Sequence, residues 1–477
     1  MTGDAVERLG ELLREAGFGR ERHFALMGIP GGLPPAEALL VLDRREDARL
    51  ATLLALFSVA QTVARADVEQ ALAPLELDDL LHAGLLEEDG SGLRSQVKLS
   101  AIGGVILAGD TQRDWGNADY VVALSPLGKT LAHTTVRRQV ETALDLGTGS
   151  GTQALLLARH AERVTGVDKN RHALSRARLG ERLNGVRNVE WIDGETFEPA
   201  GAQRFDLVVA NPSAISPRTA GVGDDGDIGS AQLSQEVVRQ SAELLAEGGF
   251  ATVVCNWTHA NGRWDDAPGE WVRDLGCDAL LLNVGTVEPL AYALANTGGP
   301  RGADPETVQR SVSYYESRNV ERISGGVVVL RRRSAGSNWF RAFEAQGDPS
   351  GAGSDQLVRM FAGGDFLASA SDQDEASKIL TSSWQLADGH LLHQSITPQN
   401  GAYPVSQAVL QHQPGINLVA RVDGRAVPIL AGLDGRRPLA TLLEQMPVPE
   451  GLDRASFHNL CLETVEDLIA RGFLVGS

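Results

Sequence analysis

Ala143-Leu144-Asp145-Leu146-Gly147-Thr148-Gly149-Ser150-Gly151 is the stretch that decides the fold of this 477-residue chain. An apolar run delivers an acidic residue and then three glycines at every second position. A chain that leaves a buried parallel strand and turns at once into a helix needs backbone angles and close approaches that side chains forbid. Glycine belongs there, with free N–H groups turned toward a ligand. A surface loop rich in Gly, Ser and Thr is the bland alternative, and only the flanking sequence separates the two.

That sequence repeats the strand, turn and helix pattern. A helical stretch over 153–160 precedes a short apolar strand, 164–167, that ends on Asp168 followed by Lys169. An acidic side chain at the end of a second strand can accept both hydroxyls of a ribose. A helix over about 171–184 leads to a third strand, 189–192, that ends on Asp193-Gly194, and a fourth, 205–210, that ends on Asn211-Pro212. Four successive strands therefore place polar residues on one edge of one sheet.

A nicotinamide-binding domain shares the glycine turn and the acidic second strand end, but its fingerprint is G-x-G-x-x-G. Here the order is G-x-G-x-G, with Asp145 two positions before the first glycine. A carboxylate there repels a pyrophosphate and suits a ligand carrying an ammonium and a sulfonium, which favours S-adenosylmethionine. Over roughly 119–333 these ordered motifs resemble the class I S-adenosylmethionine-dependent methyltransferases. The likeness is to the branch with an Asn-Pro motif after the fourth strand, small-domain N-methyltransferases of the glutamine, adenine and guanine type.

The resemblance implies that Asp145, Gly147, Thr148, Gly149 and Gly151 surround the methionine end of the cofactor. It puts Asp168 on the ribose with Lys169 beside it, and Asp193 with Gly194 near the adenine amino group. Thr134, Thr135 and Arg137 resemble the segment that closes over the methionine. Relatives with Asn-Pro-Pro-aromatic use the Asn side chain and the next carbonyl to hold a planar amino group, with the aromatic ring stacked on the substrate. Asn211 is accordingly the catalytic candidate, working by positioning and charge dispersal. This chain reads Asn211-Pro212-Ser213-Ala214, so the stacking ring is gone. Its loss forfeits about 1–3 kcal/mol for a flipped base, which weakens the case for a nucleobase acceptor and, with the second proline also replaced, for the glutamine-methylating reading.

Beyond the fourth and fifth strands lie the substrate candidates: Pro212, Ser213, Asp225 in the glycine-rich acidic loop 221–227, Asn256, Trp257 and Tyr292. Trp257 offers an aromatic wall in place of Ala214, and His259 a base for a hydroxyl acceptor. A core tryptophan and a structural histidine are the competing readings. The acidic loop lacks the later Glu and the framing helices of an EF-hand, so no metal is expected.

The formal net charge of -19 repels phosphate backbones, and Arg331-Arg332-Arg333 reads as a solvated strand end, so nucleic acid is not an expected partner. Three widely spaced cysteines, Cys255, Cys277 and Cys461, have no metal-ligand spacing and read as reduced thiols of a cytoplasmic protein. No apolar run is long enough to span a bilayer. The Arg, Ala, Gly and Leu bias suggests a GC-rich bacterial genome.

The fold expected is α/β: a Rossmann-like seven-stranded methyltransferase sheet (106–335) flanked by winged-helix-like α+β modules (1–105 and the end of 336–477). In the first module four helical segments, 6–16, 48–57, 66–72 and 77–83, precede a glycine-tipped hairpin with a strand over 93–99. Acidic residues such as Asp78, Asp79, Glu463 and Glu466 on the module helices oppose DNA binding and favour substrate gating or homodimerisation. The purpose of 337–432 is not legible. The function expected is methyl transfer from S-adenosylmethionine to a nitrogen or oxygen of a small molecule or peptide, in a biosynthetic setting. The alternatives are an rRNA or translation-protein N-methyltransferase and a cofactor-binding regulator without turnover.

Overall fold

In a computed structural model of the chain, the described residues are 5–19, 48–194, 201, 203–212, 226–259, 263–299, 302–347, 349, 351, 353–369, 372–398, 403–412 and 415–476. They form two compact units. One comprises 1–132, 138–246 and 288–320; the other comprises 133–137, 247–287 and 321–477.

The first unit begins with helices Ala5–Glu15, Ala48–Leu53, Arg65–Leu72 and Leu77–His82. Val6, Leu9, Leu12 and Leu13 recur at helical spacing and are buried with Phe18, Phe57, Leu72 and Leu80 in one apolar core. Val63–Ala64, Gly92–Ser95 and Leu86–Asp89 pair as a small antiparallel sheet. The strand expected over 93–99 is divided, because Lys98–Ile102 pairs instead with Val105–Gly109 in a second hairpin. Gly103 and Gly104 turn that hairpin, both with positive φ.

Four parallel strands then build the sheet of this unit: β1 (Val140–Leu146), β2 (Ala161–Asp168), β3 (Val189–Asp193) and β4 (Phe205–Ala210), in the order β3-β2-β1-β4. Helix α1 (Thr152–Leu157) joins β1 to β2, and α2 (Arg171–Asn184) joins β2 to β3. α2 starts where Asn170 Oδ1 accepts the N–H groups of His172 and Ala173, and ends at Gly185 with φ +64°. Its apolar stripe, Ala173, Leu174, Ala177 and Leu183, is buried. A two-helix segment, Pro289–Thr297 and Pro305–Ser317, completes the unit.

The second unit holds β5 (Leu245–His259, of which 245–246 belong to the first unit), β6 (Cys277–Val287), β7 (Arg322–Arg332) and β8 (Phe340–Glu344) in the order β8-β6-β7-β5. β7 is antiparallel to both β5 and β6, while β8 runs parallel to β6. β8 lies beyond residue 335, where the methyltransferase sheet was expected to end, and pairs with β6. Helices Ser354–Ala368 and Arg454–Ala470 follow in the same unit, with two three-stranded antiparallel sheets built from the segment 383–476.

The basic run is not a solvated strand end. Asp278 on β6 is fully buried, and its carboxylate accepts from Arg333 Nε at 2.7 Å and from Arg331 Nη2 at 2.6 Å. Burial alone would push this carboxyl up, but the two arginines overcome that and hold it below the ordinary range. Arg331 also donates to Asp365 at 2.9 Å. Two of the three arginines are thus paired with acidic side chains.

Candidate functional site

The glycine bend between β1 and α1 takes the conformation its sequence demands. Gly147, Gly149 and Gly151 have φ of +67°, +55° and +80°, a region that L side chains avoid. Their surroundings differ. A Cβ on Gly151 would meet Trp191 at 2.9 Å and Ala177 at 3.0 Å, so this glycine lets α2 and β3 pack under the turn. A Cβ on Gly149 would meet nothing within 4 Å, and that open space lies directly over the backbone of the bend.

Strand register aligns the carboxylates. Asp145 pairs with Gly166, two residues before Asp168, and Asp168 pairs with Asp193. In a parallel sheet paired residues share a face and so do residues two apart, so all three carboxylates stand on one face of the sheet. Asp168 is half-buried and its two oxygens take different partners: Gly149 N–H at 2.8 Å on Oδ2 and Asn170 N–H at 2.8 Å on Oδ1. Asp193 is exposed and pairs with Arg171; Gly194 N–H donates to Asp168 O at 3.3 Å; Lys169 is exposed.

Asp145 is enclosed within the bend. It is 2% exposed, and its Oδ2 accepts both the Thr148 hydroxyl at 2.5 Å and the Ala154 N–H at 2.9 Å. That oxygen ties the bend to the first turn of α1. Burial pushes the carboxyl up to about 7, against the pull of the Thr148 and Ala154 bonds, and the Asp168 charge adds to the rise. Oδ1 takes part in neither bond.

Asn211 follows β4, whose Ala210 pairs with Leu146, so Asn211 stands level with Gly147. Asn211 is half-buried and Pro212 buried. Ser213 and Asp225 lie outside the described residues. Tyr292, on Pro289–Thr297, is half-buried and meets the Tyr315 ring edge-on at 6.1 Å.

The remaining candidates belong to the second unit. Trp257 is a correction: only 1% exposed, it donates Nε1–H to Trp264 O at 2.6 Å and fills core volume, so it is no substrate wall. Asn256 is half-buried beside Gly325 on β7. His259 pairs with Arg322 across β5 and β7, and its Nε2 lies 3.0 Å from Ser324 Oγ. Burial first, then the Arg322 charge, lowers its imidazole below the usual value. Thr134 and Thr135 are buried, and Arg137 N–H donates to Ser354 Oγ at 2.8 Å.

Sequence reading missed several residues that shape the bend. Ser150 Oγ donates to Ala123 O at 2.8 Å, Gln153 Nε2 to Gly128 O at 2.8 Å, and Asn170 Nδ2 to Asp119 O at 3.0 Å. Only Asn170 carried a signal, as a helix N-cap two residues past an acidic strand end. Among the described residues no cluster of His, Cys, Asp and Glu could hold a metal, and no helix is long and apolar enough to cross a membrane.

Residues 127–262 match the family described as methyltransferase small domain. The chain carries a class I methyltransferase domain. Residues 33–96 and 359–476 each match a domain of unknown function, DUF7059 and DUF7782. The methyltransferase domain is similar to the release factor glutamine methyltransferase of Geobacter sulfurreducens, 38% identical over 107 residues, 20% of this chain and 37% of that protein. The Aliivibrio fischeri protein of that name is 32% identical over 142 residues, 28% of this chain and 46% of the relative. The Xylella fastidiosa (Temecula1) one is 32% identical over 167 residues, 34% and 58%. The chain thus spans about half the length of the curated relatives it matches. Among solved structures, a methyltransferase from Pyrococcus furiosus aligns at 14% identity with a TM-score of 0.28, over 44% of this chain and 85% of that one.

S-adenosylmethionine is the cofactor of this methyltransferase domain. The residues present fit it: the open space over Gly149 admits a ligand against backbone, and the half-buried Asp168 and exposed Asp193 offer acceptors on the same face.

Proposed function

We propose that the chain is an N-methyltransferase that modifies a planar amide or amine nitrogen presented by a protein or peptide. Bound S-adenosylmethionine would supply the electrophilic methyl group. Asp168 and Asp193 would hold its nucleoside end, and the bend Gly147–Gly151 with Asp145 its amino-acid end. Thr135 is assigned to the segment over the methionine, as in the branch the sequence resembles. The role left to Asn211 is orientation: its carboxamide oxygen would accept an N–H of the acceptor and direct the nitrogen at the methyl group. As the N–C bond formed, the methyl–sulfur bond would break to leave S-adenosylhomocysteine, and the nitrogen's proton would pass to solvent.

The observation that carries this reading is Asn211-Pro212 at the end of β4, level with the glycine bend in the strand register. Two facts support a protein acceptor over a small biosynthetic molecule. The similar proteins are named for glutamine in release factors, and two further domains flank the methyltransferase domain. We read those flanks as winged-helix-like modules that present the acceptor or pair two copies of the chain. An RNA acceptor is disfavoured by the net charge of -19 and by the pairing of Arg331 and Arg333 with Asp278. The absence of an aromatic at Ala214 favours an acceptor that needs no stacking partner. His259, neutral near pH 7, would matter only for a hydroxyl acceptor.

Incubation with trideuteriomethyl cofactor and purified bacterial release factors, followed by peptide mass spectrometry, tests the proposal. A labelled glutamine or other side-chain nitrogen supports it. Label confined to a small-molecule fraction of cell extract overturns the protein acceptor.

A further inference from the structure

We propose that Trp115 and Tyr120 are cofactor-binding residues, carried on a loop strapped across the ends of β2 and β1 so that their rings flank the nucleoside. The inference rests on the cofactor reading of the methyltransferase domain and names residues outside all of its motifs.

The loop is held at three places. At its neck, Asp110 is 2% exposed; its N–H donates to Val121 O at 2.8 Å and its Oδ2 accepts Val121 N–H at 2.7 Å. The same carboxylate accepts from His172 Nε2 at 2.8 Å and Arg176 Nη2 at 2.7 Å, both on α2. On the β1 side, Ala123 O accepts the Ser150 hydroxyl at 2.8 Å, directly within the glycine bend. In its middle, Asp119 O accepts Asn170 Nδ2 at 3.0 Å, while Asn170 N–H donates to Asp168 Oδ1 at 2.8 Å. One residue therefore bridges the loop backbone to the carboxylate assigned to the ribose.

Between these clamps Gln112, Arg113 and 116–119 are exposed, whereas Trp115 and Tyr120 are half-buried, their rings meeting edge-on at 5.2 Å. Half-exposed aromatic rings in a polar loop offer π-faces on which a planar ligand can stack. The sheet order says which end they serve. Asp168 and Asp193 lie on β2 and β3, while Asn211 follows β4, on the other side of β1. The clamp at Asn170 therefore puts the aromatic pair on the nucleoside side of the site and away from the acceptor side. Adenine presents a π-face there, and stacking on an aromatic ring tolerates any base. Asp110 acts as a positioning residue, through the loop.

The test is calorimetry on the full chain with S-adenosylhomocysteine and with adenosine, for wild type and for Trp115→Ala, Tyr120→Ala, Trp115→Phe and Tyr120→Phe. Stacking predicts that each Ala variant weakens both ligands by the same factor, between about fivefold and about 150-fold, and that the Phe variants stay within about threefold. A purely structural role would not be rescued by Phe in this ligand-matched way. If an Ala variant does not fold, fluorescence decides: adenosine should quench wild-type tryptophan emission, and Trp115→Phe should remove that quenching while still binding. Unchanged affinity in both Ala variants, or undiminished quenching in Trp115→Phe, overturns the inference. Absence of any binding by wild type overturns the cofactor reading itself, and this inference with it.

Discussion

Replacing Asp145 with Asn should make this protein more resistant to unfolding above neutral pH and less able to hold a cation. The carboxyl is 2% exposed, and burial lifts it from 3.8 to about 7. Because the folded value is raised, the native state holds a proton that the unfolded chain has released between about pH 4 and pH 7. This group's contribution to stability is therefore fully present below about pH 4 and lost as pH rises to about 7. A rise of roughly three units at about 1.4 kcal/mol per unit sets a ceiling of about 4 kcal/mol on the penalty above pH 7. An Asn keeps an oxygen for the Thr148 hydroxyl and the Ala154 N–H, which now bond Asp145 Oδ2 at 2.5 and 2.9 Å. The assay is urea unfolding of both proteins at several pH values from about 4.5 to about 8.5, compared as a difference. The stability of Asp145→Asn relative to wild type should climb with pH and level off above about 7. The same substitution should abolish any rise in S-adenosylhomocysteine affinity with pH, since a cationic amino group favours the ionised carboxyl. A flat difference across the range would refute the argument, because it would mean that Asp145 ionises as an exposed carboxyl does.

Three further outcomes follow from the packing. Gly151→Ala should lower the melting temperature more than Gly149→Ala, because its Cβ would meet Trp191 and Ala177 at 2.9 and 3.0 Å whereas Gly149 faces open space; calorimetry should show the reverse order for loss of cofactor affinity. Asp278→Ala should destabilise by about 3–5 kcal/mol in denaturant titration, since it leaves Arg331 and Arg333 without their buried anion, and Asp278→Asn should lie between. Native protein should react slowly with a thiol reagent until unfolded: Cys255, Cys277 and Cys461 are all buried, and burial pushes the Cys277 and Cys461 thiols up to about 11 and about 12.

The parallel strands and the glycine bend were legible because local chemistry dictates them. Positive φ at three alternating positions selects glycine, and the acidic residue closing each short apolar run marks a strand end at sequence spacing alone. What escaped was decided by pairing across long stretches of chain. Arg331 and Arg333 resemble a solvated terminus until β6 aligns with β7 and delivers Asp278 beside them. Trp257 sits next to half-buried Asn256, and nothing local distinguishes a core indole from a pocket wall; the Trp264 carbonyl that satisfies its N–H does. The motif shows Asp145 two positions before the first glycine, but not that its carboxylate is engaged by the helix it precedes. The loop 110–123 has no periodicity, so its relation to Asp168 is expressed only through bonds from Asn170, Ser150 and His172.

Titration calorimetry of the full chain with S-adenosylhomocysteine tests most directly whether Asp168 holds a nucleoside cofactor over the glycine bend. Saturable one-site binding by wild type is expected, weakened at least about tenfold in Asp168→Asn, where one of the two carboxylate oxygens becomes a donor. No heat with wild type, or equal affinity in the two proteins, would contradict it.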